Sequence, residues 1–317
     1  MHYTMLKRTQ ADAIVAFWNE TIGADFPLRK RLLLQNSLDD PNVLANGSLL
    51  AIDERGRIAG LVIAKKYGEP IDVGMNPAIG WIQTLLVRRD CRRRGIGSRL
   101  LTSAEQALAA RGATKILLGK DVRHYFPGIP QQYAETRQWF AQKGYRFAGI
   151  EYDLLTETAV RAMPKVAGGS FLLAAHGDNR RQLLDFLHRC FPGRWEYEAM
   201  NYYTAGGSGR EFVILKKAGK IVGFCRINDR QSPQIGPNVY WAPLFPDGLG
   251  GIGPLGLDRA ERGKGSGLAL VRAGIAYLNR RGYTCVAIDW TQFVDFYQKV
   301  GAHPWKAYAT YSKQLKS

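Results

Sequence analysis

The stretch Arg92-Arg93-Arg94-Gly95-Ile96-Gly97-Ser98 decides how this chain is read, because it returns as Arg262-Gly263-Lys264-Gly265-Ser266-Gly267-Leu268. Each copy has the form Arg-x-x-Gly-x-Gly. Each follows an apolar run, Leu85-Leu86-Val87 or Leu255-Gly256-Leu257, and each opens a segment with apolar residues at helical spacing. Strand, basic glycine turn and helix in that order build an anion site. Glycine lets the backbone come close to a ligand, and the first N–H groups of a helix have no partner inside it and point outward. A pyrophosphate fits such a site, and the chain offers it twice.

Around the first copy, apolar spacing predicts helices over 11–19 and 30–37 and a hairpin of strands 48–53 and 58–64 about the turn Glu54-Arg55-Gly56-Arg57. Strand 79–87 runs into the glycine turn. The helix after it closes on Gly112, a short strand occupies 115–118, and a loop over 119–130 leads to a helix over 131–143 and an extended stretch over 145–155. Residues 156–169, with Met163-Pro164 and Gly168-Gly169, read as a linker. The same order then returns: strand 171–175, helices 179–190 and 195–203, hairpin 211–226, a proline-rich loop 231–250, strand, glycine turn, helix to Gly282, strand 284–289, a helix around Phe296 and an extended end over 303–311.

The repetition holds numerically. Arg92 and Arg262, Gly97 and Gly267, and Gly112 and Gly282 are all 170 positions apart, Gly60 and Gly223 are 163 apart, and Gly144 and Gly301 are 157 apart. One offset maintained through a turn and a whole helix indicates duplication. The fall of 13 places an insertion in the first half, near 124–130. The division implied is a first domain over 1–157 and a second over 168–317.

Composition narrows the function. Hydrophobic residues make up 46% and charged residues 22%, an ordinary globular mixture with apolar material for two cores. Cys91, Cys190, Cys225 and Cys285 lie far apart without a Cys-x-x-Cys, and the five histidines form no His-x-x-x-His, so no metal is expected. Dispersed thiols, no signal peptide and no apolar run of membrane-spanning length point to the cytoplasm, with no membrane partner. The net charge of +17 raises nucleic acid as a partner, but the basic residues are scattered and densest inside the glycine turn, which favours a small polyanion. Known phosphate motifs fail: the third glycine of Gly-x-Gly-x-x-Gly is Leu100 or Leu270, and Gly263-Lys264 is followed by glycine, with Asp258 where a phosphate loop begins.

The segments 87–97 and 257–267 each resemble the coenzyme A motif of the GNAT acetyltransferase superfamily, and Asp295-Phe296-Tyr297-Gln298-Lys299-Val300-Gly301 is similar to that family's later Phe-Tyr-x-x-x-Gly segment. The resemblance implies an α/β (mixed α+β) fold of two tandem GNAT domains, each a mixed central sheet flanked by helices. It implies acetyl-CoA as co-substrate and a small-molecule amine as acceptor, an amino sugar being the first to test. Backbone N–H groups over Arg93, Arg94, Gly95, Ile96, Gly97 and Ser98, or over Gly263, Lys264, Gly265, Ser266, Gly267 and Leu268, would hold the pyrophosphate, with Arg92 and Arg262 adding charge. By the same resemblance a main-chain N–H near Val87 or Leu257 would polarise the thioester.

Amine attack needs two proton transfers: the acceptor ammonium loses one and the departing thiolate gains one. A tyrosine of pKa ~10 facing a thiol of pKa ~8.5 is suited to the second. Tyr297 occupies the family's tyrosine position, and its first-half counterpart is Phe140, which has no proton to give. Asp289 ends the strand before that helix, and its counterpart is Gly119. A carboxylate there can hold or deprotonate an ammonium, with ordered water as the other candidate base. Chemistry is therefore expected in the second domain. The first domain is left to bind coenzyme A, shape a cleft or persist as a relic, with His124 and Tyr125 as its own candidate catalytic groups. The competing reading is a non-catalytic acyl-CoA-binding regulatory module.

Overall fold

The computed structural model describes every residue except 161, 176, 316 and 317. In chain order its first half contains β1 (His2–Met5), α1 (Ala11–Ile22), α2 (Lys30–Leu33), β2 (Leu49–Ile52), β3 (Ile58–Lys66), β4 (Ile79–Val87), α3 (Ile96–Ala110), β5 (Lys115–Leu118), β6 (Ile129–Pro130), α4 (Ala134–Gln142) and β7 (Arg146–Thr156). The second half contains β8 (Gly169–Leu173), α5 (Asn179–Cys190), α6 (Arg194–Thr204), β9 (Phe212–Lys217), β10 (Lys220–Asn228), β11 (Gly250–Leu257), α7 (Ser266–Arg280), β12 (Val286–Thr291), α8 (Val294–Gln298) and β13 (His303–Gln314).

Two compact units form, and neither follows a single cut of the chain. One comprises Met1–Ile71, Asn76–Glu151 and Ala307–Ser317; the other comprises Asp72–Met75 and Tyr152–Lys306. A division at residues 156–169 follows the repeat in sequence, whereas the compact units exchange chain ends. In the first unit β1, β2, β3 and β4 are antiparallel neighbours, β5 joins β4 in parallel, and the end of β13 lies antiparallel to β5 with Ser312 opposite Leu117. In the second unit β8, β9, β10 and β11 are antiparallel, β12 joins β11 in parallel, and the end of β7 lies antiparallel to β12 with Val286 opposite Thr156. Each mixed sheet is thus extended, at the same place, by the last strand of the other half of the chain.

Helices α3 and α7 lie on these sheets for the reason their spacing suggested. Leu100, Leu101, Ala104 and Leu108 of α3 are buried against the first sheet, and Leu270, Val271, Ile275 and Leu278 of α7 against the second. Each of the two helices ends before a glycine at positive φ, Gly112 or Gly282. Strand β1 has no alternating pattern of its own and forms through its ladder with β2, so nothing in its residues announces it. The helix expected over 30–37 is one α-turn followed by a π-turn over 34–38.

The halves differ in their connections. The offset grows from 163 at Gly60 and Gly223 to 170 at Gly97 and Gly267, so the second half carries seven more residues between hairpin and glycine turn. The first half carries 13 more between Gly112 and Gly144.

Candidate functional site

Both units build the same opening. The β4–β5 pairing ends with Ile82 opposite Leu118, and the β11–β12 pairing ends with Ile252 opposite Ile288. Past those points the parallel strands part, and residues 83–87 and 253–257 continue without a parallel neighbour. A register shift against the hairpin strand marks the departure in both, at Ile63 and Ala64 in the first and between Cys225 and Ile227 in the second.

At the end of each parted strand the glycine turn begins. Arg93 and Gly95 have φ of 60° and 77°, and Gly263 and Gly265 have 76° and 78°, so both copies place left-handed residues at alternate positions. Such alternation turns successive N–H groups toward one concavity, a nest for an anion. The first intrahelical bonds come from Arg99 to Gly95 and from Ala269 to Gly265, so the N–H groups of Ile96, Gly97 and Ser98, and of Ser266, Gly267 and Leu268, have no partner within the helix. Arg92 Nε donates to Val87 O at 3.2 Å and Arg262 Nε to Leu257 O at 3.4 Å, which bends each arginine back over its turn. Arg93, Arg94 and Lys264 are exposed beside it. Val87 and Leu257 close the strand beneath the helix, their side chains 3.5 and 3.4 Å from where a Cβ on Gly97 or Gly267 would stand.

The bracing of the turns has changed sign. In the second unit Asp258 accepts from Ala260 N and pairs with Arg189 at 2.8 Å. The corresponding first-unit residue is Arg88, which binds Asp53 at 3.0 Å and Asp90 at 2.7 Å. Both solutions fix the turn, so the nest tolerates either charge at its root.

Beside the second nest lie the two expected catalytic side chains. Asp289 is on β12 and keeps some contact with solvent, yet protein crowds it. Desolvation first, then the neighbouring Asp153 carboxylate, pushes its pKa up to about 7; a hydrogen bond from Asn238 and the charge of Arg194 work against that rise, while Glu198 adds to it. Asp153 in turn accepts from the Trp290 N–H at 3.1 Å, and the Arg194 guanidinium lies 4.7 Å over the Trp290 ring while bonding Glu198 at 2.6 Å. Tyr297 follows on α8, its phenol raised above its ordinary value by burial, by Cys225 and by Asp289, whose charge it feels. One titratable acid near neutrality and one tyrosine that holds its proton therefore sit together. Asp153, Glu198, Arg194 and Asn238 were not singled out in the sequence: they come from β7, α6 and a loop, and no short spacing unites them.

The first cleft is filled by its own chain. A Cβ on Gly119, the counterpart of Asp289, would lie 2.0 Å from Phe126 O, so the inserted loop occupies that place. His124, Tyr125 and Phe126 are buried, and Phe126 packs against Trp18, Phe26 and Tyr308. His124 and Tyr125, the candidate catalytic groups of this half, both lie in the buried part of the inserted loop. The Tyr125 hydroxyl shares a 2.8 Å hydrogen bond with Ser37, whose hydroxyl donates to Gln83 on the parted strand. Gln83 also donates to Asn36 O, Asp121 and Arg123 O. Lys65, 1% exposed, bridges Asp40 and Asp121 at 2.8 Å each and pins the loop's start. Phe140, the counterpart of Tyr297, is a buried core ring packed edge-on to Trp139 and Tyr145. In the second long loop Tyr240 and Trp241 are buried, and Phe245 packs on Trp305.

Comparison with known proteins agrees with this duplicated architecture. The sequence model of the Acetyltransferase (GNAT) family matches twice, over residues 13–126 and 180–302. The chain belongs to the GNAT acetyltransferase family. It is 35% identical over 256 residues to a mycothiol acetyltransferase of Renibacterium salmoninarum, spanning 74% of this chain and 68% of that protein. Among solved structures, the fold matches the glucosamine N-acetyltransferase region of a fungal multi-domain GH3 β-N-acetylglucosaminidase with a TM-score of 0.86, at 23% identity, over 98% of this chain and 38% of that one. It also matches a tandem GNAT protein from the clavulanic acid biosynthesis pathway with a TM-score of 0.71, at 14% identity, over 100% of this chain and 99% of the other. This GNAT acetyltransferase is thus a tandem enzyme whose two nests are alike and whose two clefts are not. Among its described residues no group of His, Cys, Asp and Glu is arranged to hold a metal, and no helix is long and apolar enough to cross a membrane.

Proposed function

We propose that the enzyme moves an acetyl group from acetyl-CoA to a primary amine of a small molecule by direct attack in a ternary complex, with the chemistry in the second half, residues 168–317. The observation that carries this reading is that the charge of Asp289 reaches Tyr297, while in the first half Phe126 O stands 2.0 Å from where a Cβ on Gly119, the counterpart of Asp289, would lie. Open space around Gly263 and Gly265, together with the unbonded N–H groups of the first turn of α7, fits a pyrophosphate. In this reading residues 263–268 and Arg262 hold it, and residues 253–257 offer backbone groups to an extended amide-bearing chain up to Leu257. The bound co-substrate supplies an activated acetyl thioester.

The side chains divide the proton work. Asp289, half ionised near pH 7, draws the proton from the incoming ammonium directly or through water. Tyr297 stays protonated and donates to the departing sulfur. Its raised pKa makes full proton transfer to a thiolate less favourable, so its main contribution is a hydrogen bond that strengthens as charge develops on sulfur; the second proton of the acceptor nitrogen, released as the amide forms, ends on the departing thiolate. The first half, residues 1–157, keeps a nest at 93–98 with Arg92 and Val87 and is assigned coenzyme A binding without turnover. This is the one place where the non-catalytic binding alternative has support. Four unpaired cysteines suit a reducing cytoplasm.

Thiol release from acetyl-CoA, followed against a panel of amines, tests the proposal. Glucosamine heads the panel, and the similarity to a mycothiol acetyltransferase puts that enzyme's acceptor beside it. Polyamines and amino acids complete it. Stimulation by at least one primary amine is expected. Release that no amine accelerates overturns the reading.

A further inference from the structure

Asp289 does not stand alone, and the group that holds it comes from the seven-residue excess of the second half. Asn238 lies in the loop between β10 and β11 and is 4% exposed. Its Nδ2 donates to Asp289 Oδ1 at 2.9 Å and to Gly253 O at 3.3 Å. Its Oδ1 accepts from Asn228 Nδ2 at 3.0 Å, and Asn228 is fully buried on β10. With Asp289 ionised, only one orientation of the Asn238 amide works: turned over, its oxygen would face the carboxylate and the Gly253 carbonyl, two acceptors, with no donor between them.

The surrounding backbone is cut to fit this row of amides and acid. A Cβ on Gly251 would lie 2.1 Å from Asn238 Oδ1, one on Gly253 would lie 2.7 Å from Asp289 Oδ1, and one on Gly236 would lie 2.4 Å from Asn228. Three glycines therefore make room for three polar side chains. Gly253 is also where β11 leaves β12, so Asn238 ties the acid to the point at which the cleft opens. At the corresponding first-half positions stand Lys65 for Asn228, Trp81 for Gly251, Gln83 for Gly253 and Gly119 for Asp289. Nothing of the row survives there.

We propose that Asn238 is a positioning residue for acetyl transfer: it holds the Asp289 carboxylate, in its ionised form, at the mouth of the parted strands. This rests on the assignment of Asp289 as the base. The groups facing Asp289 are Asp153 from β7, Glu198 and Arg194 from α6, Tyr297 from α8 and Asn238 from its loop; the β11 side contributes only Gly253 backbone. Two of these are carboxylates that disfavour ionisation. The Asn238 amide is the neutral donor that favours it.

Removing the donor must therefore cost more when Asp289 is charged than when it is neutral. Thermal unfolding of the full chain is measured at pH 5 and pH 8 for the parent, Asn238→Ala, Asp289→Asn and the double variant. Asn238→Ala is expected to lose about 3 °C more at pH 8 than at pH 5. That excess should vanish in the Asp289→Asn background. A loss equal at both pH values, or an excess that persists without Asp289, overturns the proposal, because a merely structural amide gives that result. Asn238→Asp, isosteric but adding a third nearby carboxylate, should lose more at pH 8 than Asn238→Ala does. With the amine that turns over in the panel, the midpoint of the rising limb of kcat should move up by about one pH unit in Asn238→Ala. If Asp289→Asn keeps the parent limb, the base assignment fails. If Asp289→Asn removes the limb and Asn238→Ala leaves it in place, only the positioning role fails.

Discussion

The two clefts of this enzyme begin alike and end differently. Each has a parted parallel strand, a pair of left-handed residues and a helix start with free N–H groups. Beyond that point the second unit brings the charge of Asp289 to Tyr297, and the first has the Phe126 carbonyl and a core phenylalanine at the corresponding places. The contrast teaches that the backbone turn and the side chains around it vary separately in this fold. The nest is made from backbone, so it survives Arg for Gly at position 93 and Arg for Asp at position 88. The side chains beyond it are few, so one insertion can fill the place matching Asp289 and one longer loop can bring Asn238 to Asp289.

The comparison can be broken most forcefully at Tyr297. Tyr297→Phe gives the second cleft the ring of the first, and kcat is expected to fall by about 10²–10³ with coenzyme A affinity retained. A variant as active as the parent would remove Tyr297 from the mechanism.

Asp289→Asn should lower kcat by about 10² at pH 7 and abolish the rise of activity through pH 7 that the about-7 pKa of Asp289 predicts. It also carries an opposite stability signature. The folded protein holds the Asp289 proton more tightly than the unfolded chain does, so the acid costs stability as pH rises from ~4 through about 7. The Asn variant should melt higher than the parent at pH 8 and no higher at pH 4, as scanning calorimetry would reveal.

Glutamate in either nest sharpens the shared part. Gly267→Glu places a carboxylate where phosphate is expected and should weaken coenzyme A binding by about 30-fold, an electrostatic loss of about 2 kcal/mol. By titration calorimetry, Gly97→Glu should remove a second, separate binding event. A parent stoichiometry of one would confine donor binding to a single nest.

The smallest effect is expected where the missing hydroxyl is restored. Phe140→Tyr, in a Tyr297→Phe background, should recover no thiol release, because the first cleft is already occupied. Its buried hydroxyl should cost about 1–3 kcal/mol and lower the melting temperature by several degrees. Recovered turnover would show that the inserted loop leaves that cleft.

Much of this was legible along the chain because it depends on local order. Strand, glycine turn and helix lie within some thirty residues in each half, and the 170-residue offset carries α3 (Ile96–Ala110) onto α7 (Ser266–Arg280). Tyr297 and Asp289 stood out on aligning the halves, since Phe140 and Gly119 opposite them have no proton to exchange. The exchange of chain ends was not legible: β7 and β13 look alike as extended segments, and which sheet edge each completes depends on pairing across more than a hundred residues. The filling of the first cleft was not legible either, since the aromatic loop at 124–130 could equally have lined a pocket until its packing on Trp18 and Phe26 was known.

What the amino-acid sequence determined by itself was the duplicated donor motif, because backbone conformation there follows from glycine placement and helix start, both local. The surroundings of Asp289, by contrast, came from the tertiary fold alone. The ionisation of Asp289 depends on Asp153, Glu198, Arg194 and Asn238, drawn from distant parts of the chain. Desolvation and charge act through space, and their strength is set by distance across the fold and not by spacing along the chain.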